Sequence, residues 1–320
     1  MGYVKWNLKF LKNKWTITVF ILIIGFAIFI GIYSLQDEDI VPVDLAVVAK
    51  RPVLLYDGVV YRHDENEGWK KLDYNKKIKM VCSDEAQLCV LDVVGKIHCD
   101  ELPDSSEPGL PLTTAGYFQR AQDALSINEE EGFSLINGHV KIVAGFTALL
   151  TDGYILYQEL GIYKRFQMEA EVHMLSGFFV LTKSGNVYEL IVNESPYIAK
   201  EPELKLVYGG GDCVYIDASE NALRCVGLMK SGKAMVWSEI DSPDISDWSD
   251  LVRVVHGFNY VAGLTSKGKV VFKHYDDTKS AEMEGVFKTW DDIIGIEAYF
   301  SSVYGIDKNG EVFVVDFSGR

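Results

Sequence analysis

Seven glycines recur along this chain with an aliphatic residue four positions before each and an apolar residue two positions after. They are Gly58, Gly95, Gly153, Gly185, Gly232, Gly268 and Gly310. The residues before are Leu54, Leu91, Leu149, Leu181, Leu228, Leu264 and Ile306; those after are Val60, Ile97, Ile155, Val187, Ala234, Val270 and Val312. No position in either set is polar. A fixed pattern copied this way requires one supersecondary unit repeated around a ring or along a stack.

The last two units align without a gap at an offset of 42 residues, Trp248 with Trp290, Leu251 with Ile293, Gly263 with Gly305 and Gly268 with Gly310. Trp69, followed by Leu72 and Ile78, opens a similar stretch that ends at Gly95. Within a unit, Val261–Thr265, the turn 266–268 and Lys269–Phe272 read as a short β-hairpin with glycine where a positive φ is needed. The apolar segment before it, Leu251 to Val255, is expected as a third strand, and the segment after it as a fourth. Four short strands in each of seven units predict an all-β fold, a seven-bladed β-propeller. Ala148, Gly227, Gly263 and Gly305 precede the key aliphatic residue and are expected on strands crowded near the central axis. The last unit runs out after Phe317, one strand short. Spare apolar sequence at Val41 to Val48 is expected to close the ring by adding a strand to the last blade.

The order of Trp, a hydrophobic strand, then aliphatic-x-x-x-Gly-x-Val resembles the repeats of the RCC1 family, which form seven-bladed propellers. The resemblance covers residues 45–317 and lies in the repeat grammar. The family's outer-strand signature, Trp-Gly-x-Asn-x-x-Gly-Gln-Leu-Gly, is missing, with Trp237-Ser238 its nearest relic. The residues by which the eukaryotic founder acts on its small GTPase have no counterpart here. The resemblance therefore implies the fold and not nucleotide exchange, and the divergent pattern looks like secreted or membrane-anchored bacterial members, some of which bind other proteins through their loop faces.

Residues 15–35 carry no charge and are dominated by Ile, Phe, Leu and Val, long enough to cross a bilayer as a helix. Lys5, Lys9, Lys12 and Lys14 precede this stretch, and Asp37, Glu38 and Asp39 follow it. This asymmetry predicts a cytoplasmic tail over 1–14, a single-pass signal anchor over 15–35, a linker over 36–44 and an extracytoplasmic propeller over 45–320. A cleaved leader would have an apolar core about half as long, followed by a small-residue cleavage motif.

The whole chain carries a net charge of −15, and the four lysines of the tail leave −19 on the 306 residues that follow. So acidic a domain disfavours nucleic acid as a partner and fits solubility at a surface. All five cysteines lie beyond the apolar span. Extending the hairpin pairing outward from Leu91 and Ile97 sets Cys89 opposite Cys99, a candidate disulfide in an oxidising compartment. Cys213 and Cys225 flank the candidate turn 218–221 and form a second candidate. No Cys-x-x-Cys or Cys/His array suggests zinc.

Catalytic signatures are lacking: there is no Gly-x-Ser-x-Gly elbow, no phosphate loop and no paired-histidine motif, and no cofactor is implied. The histidines are scattered, and His256, beside a strand end, reads as a satisfied structural residue. Gly209-Gly210-Gly211 reads as a blade connection. Asp241, Asp244, Asp247 and Asp250 recur every three residues, which is not the alternate-residue spacing of a calcium loop and reads as a solvated acidic loop. The insertion at 101–134 carries Glu129-Glu130-Glu131 and several aromatics, as recognition loops on rigid scaffolds do. Two functions follow: a membrane-tethered module binding a protein or cell-envelope partner, or an extracytoplasmic propeller enzyme, a glycoside hydrolase or lyase with paired carboxylates in its channel.

Overall fold

Short runs of β-branched and aliphatic residues, each ended by a glycine turn, fold here into antiparallel hairpins. The computed structural model describes residues 44–48, 50–81, 88–99, 140–144, 147–159, 162–192, 202–219, 224–238 and 242–318, all within one compact unit, Val41–Arg320. The expected tail, the 15–35 span, most of the linker and the 101–134 insertion lie outside the described residues. Among the described residues, no helix is long and apolar enough to cross a membrane.

The described strands form seven antiparallel sheets, each joining consecutive strands in chain order. Sheet A holds β1 (Asp44–Val48), β2 (Arg51–Tyr56), β3 (Val59–Asp64) and β4 (Gly68–Leu72); sheet B holds β5 (Ile78–Val81), β6 (Cys89–Asp92) and β7 (Ile97–Cys99). Sheet C holds β8 (Val140–Ala144), β9 (Thr147–Leu150), β10 (Tyr154–Glu159) and β11 (Ile162–Gln167). Sheet D holds β12 (Val172–Ser176), β13 (Phe179–Thr182), β14 (Val187–Ile191) and β15 (Glu203–Tyr208). Sheet E holds β16 (Cys213–Ala218), β17 (Arg224–Met229) and β18 (Ala234–Ser238). Sheet F holds β19 (Leu251–His256), β20 (Tyr260–Thr265) and β21 (Val270–His274), and sheet G holds β22 (Ile293–Tyr299), β23 (Ser302–Asp307) and β24 (Val312–Asp316). Every strand of G starts 42 residues after its counterpart in F, as the sequence alignment requires.

The first strands of six sheets meet at a hub. β8 packs on β12, β12 on β16, β16 on β19, β19 on β22, and β22 returns to β1. Closure therefore differs from the strand exchange expected of residues 41–48. β1 pairs with β2 inside sheet A, and Leu45 and Val47 pack against Tyr304 and Ile306 of sheet G. The Trp69 indole Nε1–H adds a 2.8 Å bond to the Gly310 carbonyl.

All seven turn glycines have positive φ, from 71° to 87°. Four of them also staple sheet to sheet: their carbonyls accept the N–H that opens, or leads into, the next first strand. The bonds are Ile78 to Gly58 (2.9 Å), Cys213 to Gly185 (3.3 Å), Leu251 to Gly232 (2.9 Å) and Ile293 to Gly268 (3.1 Å). A side chain at Gly185 would start 2.5 Å from the Gly211 backbone, so the triple glycine acts as a tightly packed connection between sheets D and E.

Sheets B to G place the key aliphatic residue opposite the apolar one, for instance Leu91 opposite Ile97 and Leu264 opposite Val270. Sheet A departs from this register, with Leu55 opposite Val60 and Leu54 opposite Tyr61. Its turn has only two central residues, Asp57 and Gly58, both at positive φ, which is the geometry of the tight hairpin turn favoured by strand twist.

Three further expectations change. Only sheets A, C and D have a fourth strand among the described residues. In sheet F its place in the chain is taken by a helix, α1 (Asp277–Phe287), which packs on β21. Asp276 caps it by accepting from the Thr278 N–H, and Met283 and Phe287 are buried. This helix packs against the sheet's last strand, and its Phe287 joins Phe272, Trp290 and Phe317 in the aromatic core between F and G. Secondly, Gly227, Gly263 and Gly305 lie on second strands and not at the axis. Large side chains lie over them: a Cβ would meet Trp237 at 2.2 Å from Gly227 and Trp290 at 2.6 Å from Gly305. Thirdly, Cys213 and Cys225 are free thiols; the register sets Cys213 beside Met229 and Cys225 beside Ala218, so they do not face each other. Cys89 is disulfide-bonded and its backbone stands opposite Cys99.

Candidate functional site

First strands are built alike in six sheets. Each carries a register shift, between Ile78 and Met80, Val140 and Ile142, Val172 and Met174, Cys213 and Tyr215, Leu251 and Arg253, and Ile293 and Gly295. A bulge re-aims the residue that follows it. In sheets E and F it brings Tyr215 and Arg253 together, with the guanidinium carbon 4.3 Å from the ring centre. One Arg253 terminal nitrogen also lies 3.6 Å from Asp44 of β1 and 3.9 Å from Glu297 of β22. One side chain thus ties sheet F to sheets A, E and G.

Two residues further along β16 is Asp217, which accepts the His256 N–H at 2.7 Å and a hydrogen bond from Ser176 of β12. The hub therefore concentrates three carboxylates around one guanidinium. Burial pushes Asp217 up to about 6, against the pull of the His256 N–H and of Arg253. Burial and the Asp217 charge together hold Glu297 well above the usual carboxylate range. Burial works against the Arg253 charge too, but Tyr215, Glu297 and Asp44 keep its affinity for the proton above the ordinary value. Such a cluster can retain a proton on its acids near neutral pH.

His256 sits at the outer end of this cluster and is fully partnered. Its Nδ1–H donates to the Gly257 carbonyl (2.6 Å), which leaves Nε2 to accept from the Tyr275 hydroxyl (2.9 Å). Burial lowers its pKa to about 4, so the ring is neutral at pH 7. The Arg224 guanidinium lies 4.1 Å over the Tyr275 ring and donates to Asn259 Oδ1 and the Phe258 carbonyl. Phe258 and Phe300, 46% and 38% exposed, stand beside this layer and are joined by the Phe258 N–H to the Phe300 carbonyl at 3.1 Å.

Four of the seven glycines bond to the start of the next first strand and Gly310 to Trp69, so they position the sheets. Of the acidic loop, Asp241 lies outside the described residues, Asp244 accepts the Ser246 N–H, and Asp250 accepts the Ser266 hydroxyl. Among the described residues, no three His, Cys, Asp or Glu are placed to hold a metal ion. Sequence reasoning missed Asp44, Tyr215, Asp217, Arg253 and Glu297. The signal was present: a charge inside an apolar strand, as in Leu251-Val252-Arg253-Val254-Val255 and Ile296-Glu297-Ala298.

Seven small sheets, the first strands of six meeting at a hub, and closure of G on A define a β-propeller. No family model and no curated protein matches the sequence. Among solved structures, yeast RCC1 (Prp20), crystallised with Kap60 bound, is similar with a TM-score of 0.50 at 12% identity, over 86% of this chain and 80% of that one. The fold is thus RCC1-like. Prp20p of Saccharomyces cerevisiae in a second crystal structure gives 0.43 at 13% identity, over 77% and 72% of the two chains. PorZ, a surface component of the type-IX secretion system of Porphyromonas gingivalis, gives 0.42 at 13% identity over 88% of this chain, which spans 38% of the PorZ chain.

Proposed function

We propose that this chain is a membrane-tethered, outward-facing propeller that binds a protein or cell-envelope partner through a loop face. The observation that carries the reading is the exposed pair Phe258 and Phe300 at the edge of a hub filled by its own ion cluster. Exposed aromatics on a rigid, fully bonded scaffold fit an anchor for a partner. The structurally similar yeast RCC1 was crystallised with Kap60 bound, a precedent for a protein partner. The tether rests on the basic residues before the 15–35 span and the acids after it. A Cys89–Cys99 crosslink, for which the backbone register is suited, fits an oxidising outer compartment.

Photo-crosslinking tests the face. A photoreactive residue at Phe258 or Phe300 in the full chain should capture one defined partner in intact membranes, while the same label at exposed Val94 should not. Protease added outside sealed cells should digest the propeller and spare the tail. Equal capture at all three positions would end the face assignment, and protection of the propeller would end the topology.

The enzyme reading has one observation in its favour, the convergence of Asp44, Asp217 and Glu297. A glycosidase dyad needs an open gap of about 5–10 Å between its carboxyls for the sugar. Here the guanidinium lies between Asp44 and Glu297 and fills that gap. Polysaccharide cleavage by the full chain that Glu297→Gln abolishes would reverse this preference.

A further inference from the structure

Among the described residues the glycine staple does not form at every junction, and between sheets C and D its absence leaves an open cleft. Sheet pairs A–B, D–E, E–F and F–G are each joined by a turn-glycine carbonyl, and the Gly310 carbonyl takes the Trp69 indole. Between sheets C and D no such bond joins Gly153 to Val172, although both are described. A side chain built at Gly153 would meet nothing within 4 Å, whereas one at Gly185 or Gly232 would run into the neighbouring backbone. The two sheets still hold together elsewhere, through the Thr147 hydroxyl donating to the Gly177 carbonyl (2.8 Å) and the cluster of Leu149, Ile155, Val172 and Val180. They part only at the Gly153 turn. A cleft of about 320 Å³ lies there, lined by the turn Leu150–Gly153 and the connection Gln167–Val172.

The lining has a definite chemistry. Where four other junctions join donor to acceptor, this cleft presents a carbonyl at Gly153 and an N–H at Val172 that do not meet. Its acids are Asp152, Glu169 and Glu171. Asp152 is held by Arg165 at 2.5 Å, and Glu171 is paired with Lys183. Glu169 is exposed and has no ion-pair partner among the described residues. A volume of this size suits a few residues of chain. One peptide unit offers both the donor and the acceptor that the cleft lacks, and a basic side chain beside it would meet Glu169.

We propose that the cleft between sheets C and D binds an extended basic peptide segment of a partner protein, one peptide unit of which bridges Gly153 and Val172 in place of the absent staple. This rests on the binding-module reading and specifies one partner feature for it. The rim at Phe258 and Phe300 provides the separate contact by which that reading is judged.

The test uses the full chain in detergent micelles and two labelled probes, acetyl-Gly-Lys-Gly-Lys-Gly-amide and its Glu counterpart, followed by fluorescence anisotropy. The Lys probe should bind at least tenfold tighter than the Glu probe. Glu169→Lys, at an exposed position, should weaken the Lys probe at least fivefold, and Thr151→Trp, which fills the cleft from an exposed turn, should abolish its binding. Both variants should keep the wild-type unfolding midpoint, since neither residue is buried. Equal binding of the two probes, or wild-type binding by both variants, overturns the cleft assignment. If that happens while crosslinking at Phe258 still captures a partner, the cleft alone has failed; loss of that crosslink as well would remove the binding reading with it.

Discussion

Sheets F and G and sheet A are three blades of one wheel built on two plans. F and G share a bulged first strand, a turn with the key aliphatic residue opposite the apolar one, and strand starts 42 residues apart. F passes to G through a backbone bond, Ile293 N–H to the Gly268 carbonyl. Sheet A has an unshifted first strand, a two-residue turn and, among the described residues, no backbone staple from G. Side chains make that join instead: Trp69 reaches Gly310, and Asp44 reaches Arg253. Copied blades F and G are joined by backbone, through a turn-glycine carbonyl and the first N–H of the next strand. The closing join is made by particular residues, so it is where substitution should discriminate between the two plans.

Arg253→Met tests the dependence of closure on side chains most severely. It leaves the half-exposed Asp44 and the partly buried Glu297 without their guanidinium, and with exposure weakening the pair the loss should be about 2–3 kcal/mol. Urea unfolding should show the midpoint falling with little change in slope; a loss under 1 kcal/mol would mean the hub charges are not a tie. Gly232→Ala and Trp69→Phe then set a backbone join against a side-chain join. Alanine at Gly232 must adopt φ of +74° and sit 3.2 Å from the Asp250 nitrogen, a strain of about 1–3 kcal/mol. Phenylalanine at Trp69 keeps the ring and removes one donor, leaving a partly exposed carbonyl, for about 1–2 kcal/mol. A Trp69→Phe loss larger than that of Gly232→Ala would reverse the ranking of the two joins.

Much of plan F and G was legible in the sequence because its determinants are local. A residue at positive φ must be glycine or pay for it sterically, and strand pairing then fixes which neighbours face each other, so Leu264 and Val270 could be matched from spacing alone. Sheet A carried the same spacing, Leu54, Gly58 and Val60, yet a turn shorter than its siblings shifts the register by one residue. Spacing from glycine cannot reveal that, whereas Asp57 before Gly58 is a tight-turn signal in its own right. The hub was illegible for another reason. Asp44, Tyr215, Arg253 and Glu297 lie on four different sheets, and their meeting depends on how the wheel closes rather than on any stretch of chain. Helix α1, where a strand was expected, was hard to read because its sequence has little amphipathic pattern; only Met283, Phe287 and Ser280 are buried along it.

Acidity separates the contributions of sheets E and F within the hub. The folded-state pKa of Asp217, about 6, lies above the ordinary 3.8, so its contribution to stability is fully present below about pH 4 and is lost as pH rises through 6. His256, lowered from 6.5 to about 4, acts in the opposite sense: unfolded chains take up its proton first, so stability falls as pH drops from 6.5 through 4. Between pH 7 and 5 the two effects oppose each other. Asp217→Asn removes the first, together with the part of the Glu297 shift that the Asp217 charge supplies, and should therefore lose about 1 kcal/mol more than the wild type over that interval. Chemical denaturation of both proteins at pH 7 and pH 5 measures this, and parallel pH profiles would show that Asp217 does not hold the proton.

The smallest effect comes from the turn that sets sheet A apart. Asp57 has φ of 46° and Gly58 of 76°, and two-residue turns with both φ positive favour Asn before Gly. Asp57 also pairs with Lys77 at 3.3 Å, but both side chains are mostly exposed, so that contact contributes little. Asp57→Asn should consequently raise stability by a few tenths of a kcal/mol. Lys267→Asn, just before Gly268 in sheet F, should do nothing, because only Gly268 has positive φ in that turn. Thermal melts of the two variants side by side decide it: equal shifts would mean that the turns are energetically alike and that the odd register of sheet A is imposed by Trp69 and the hub.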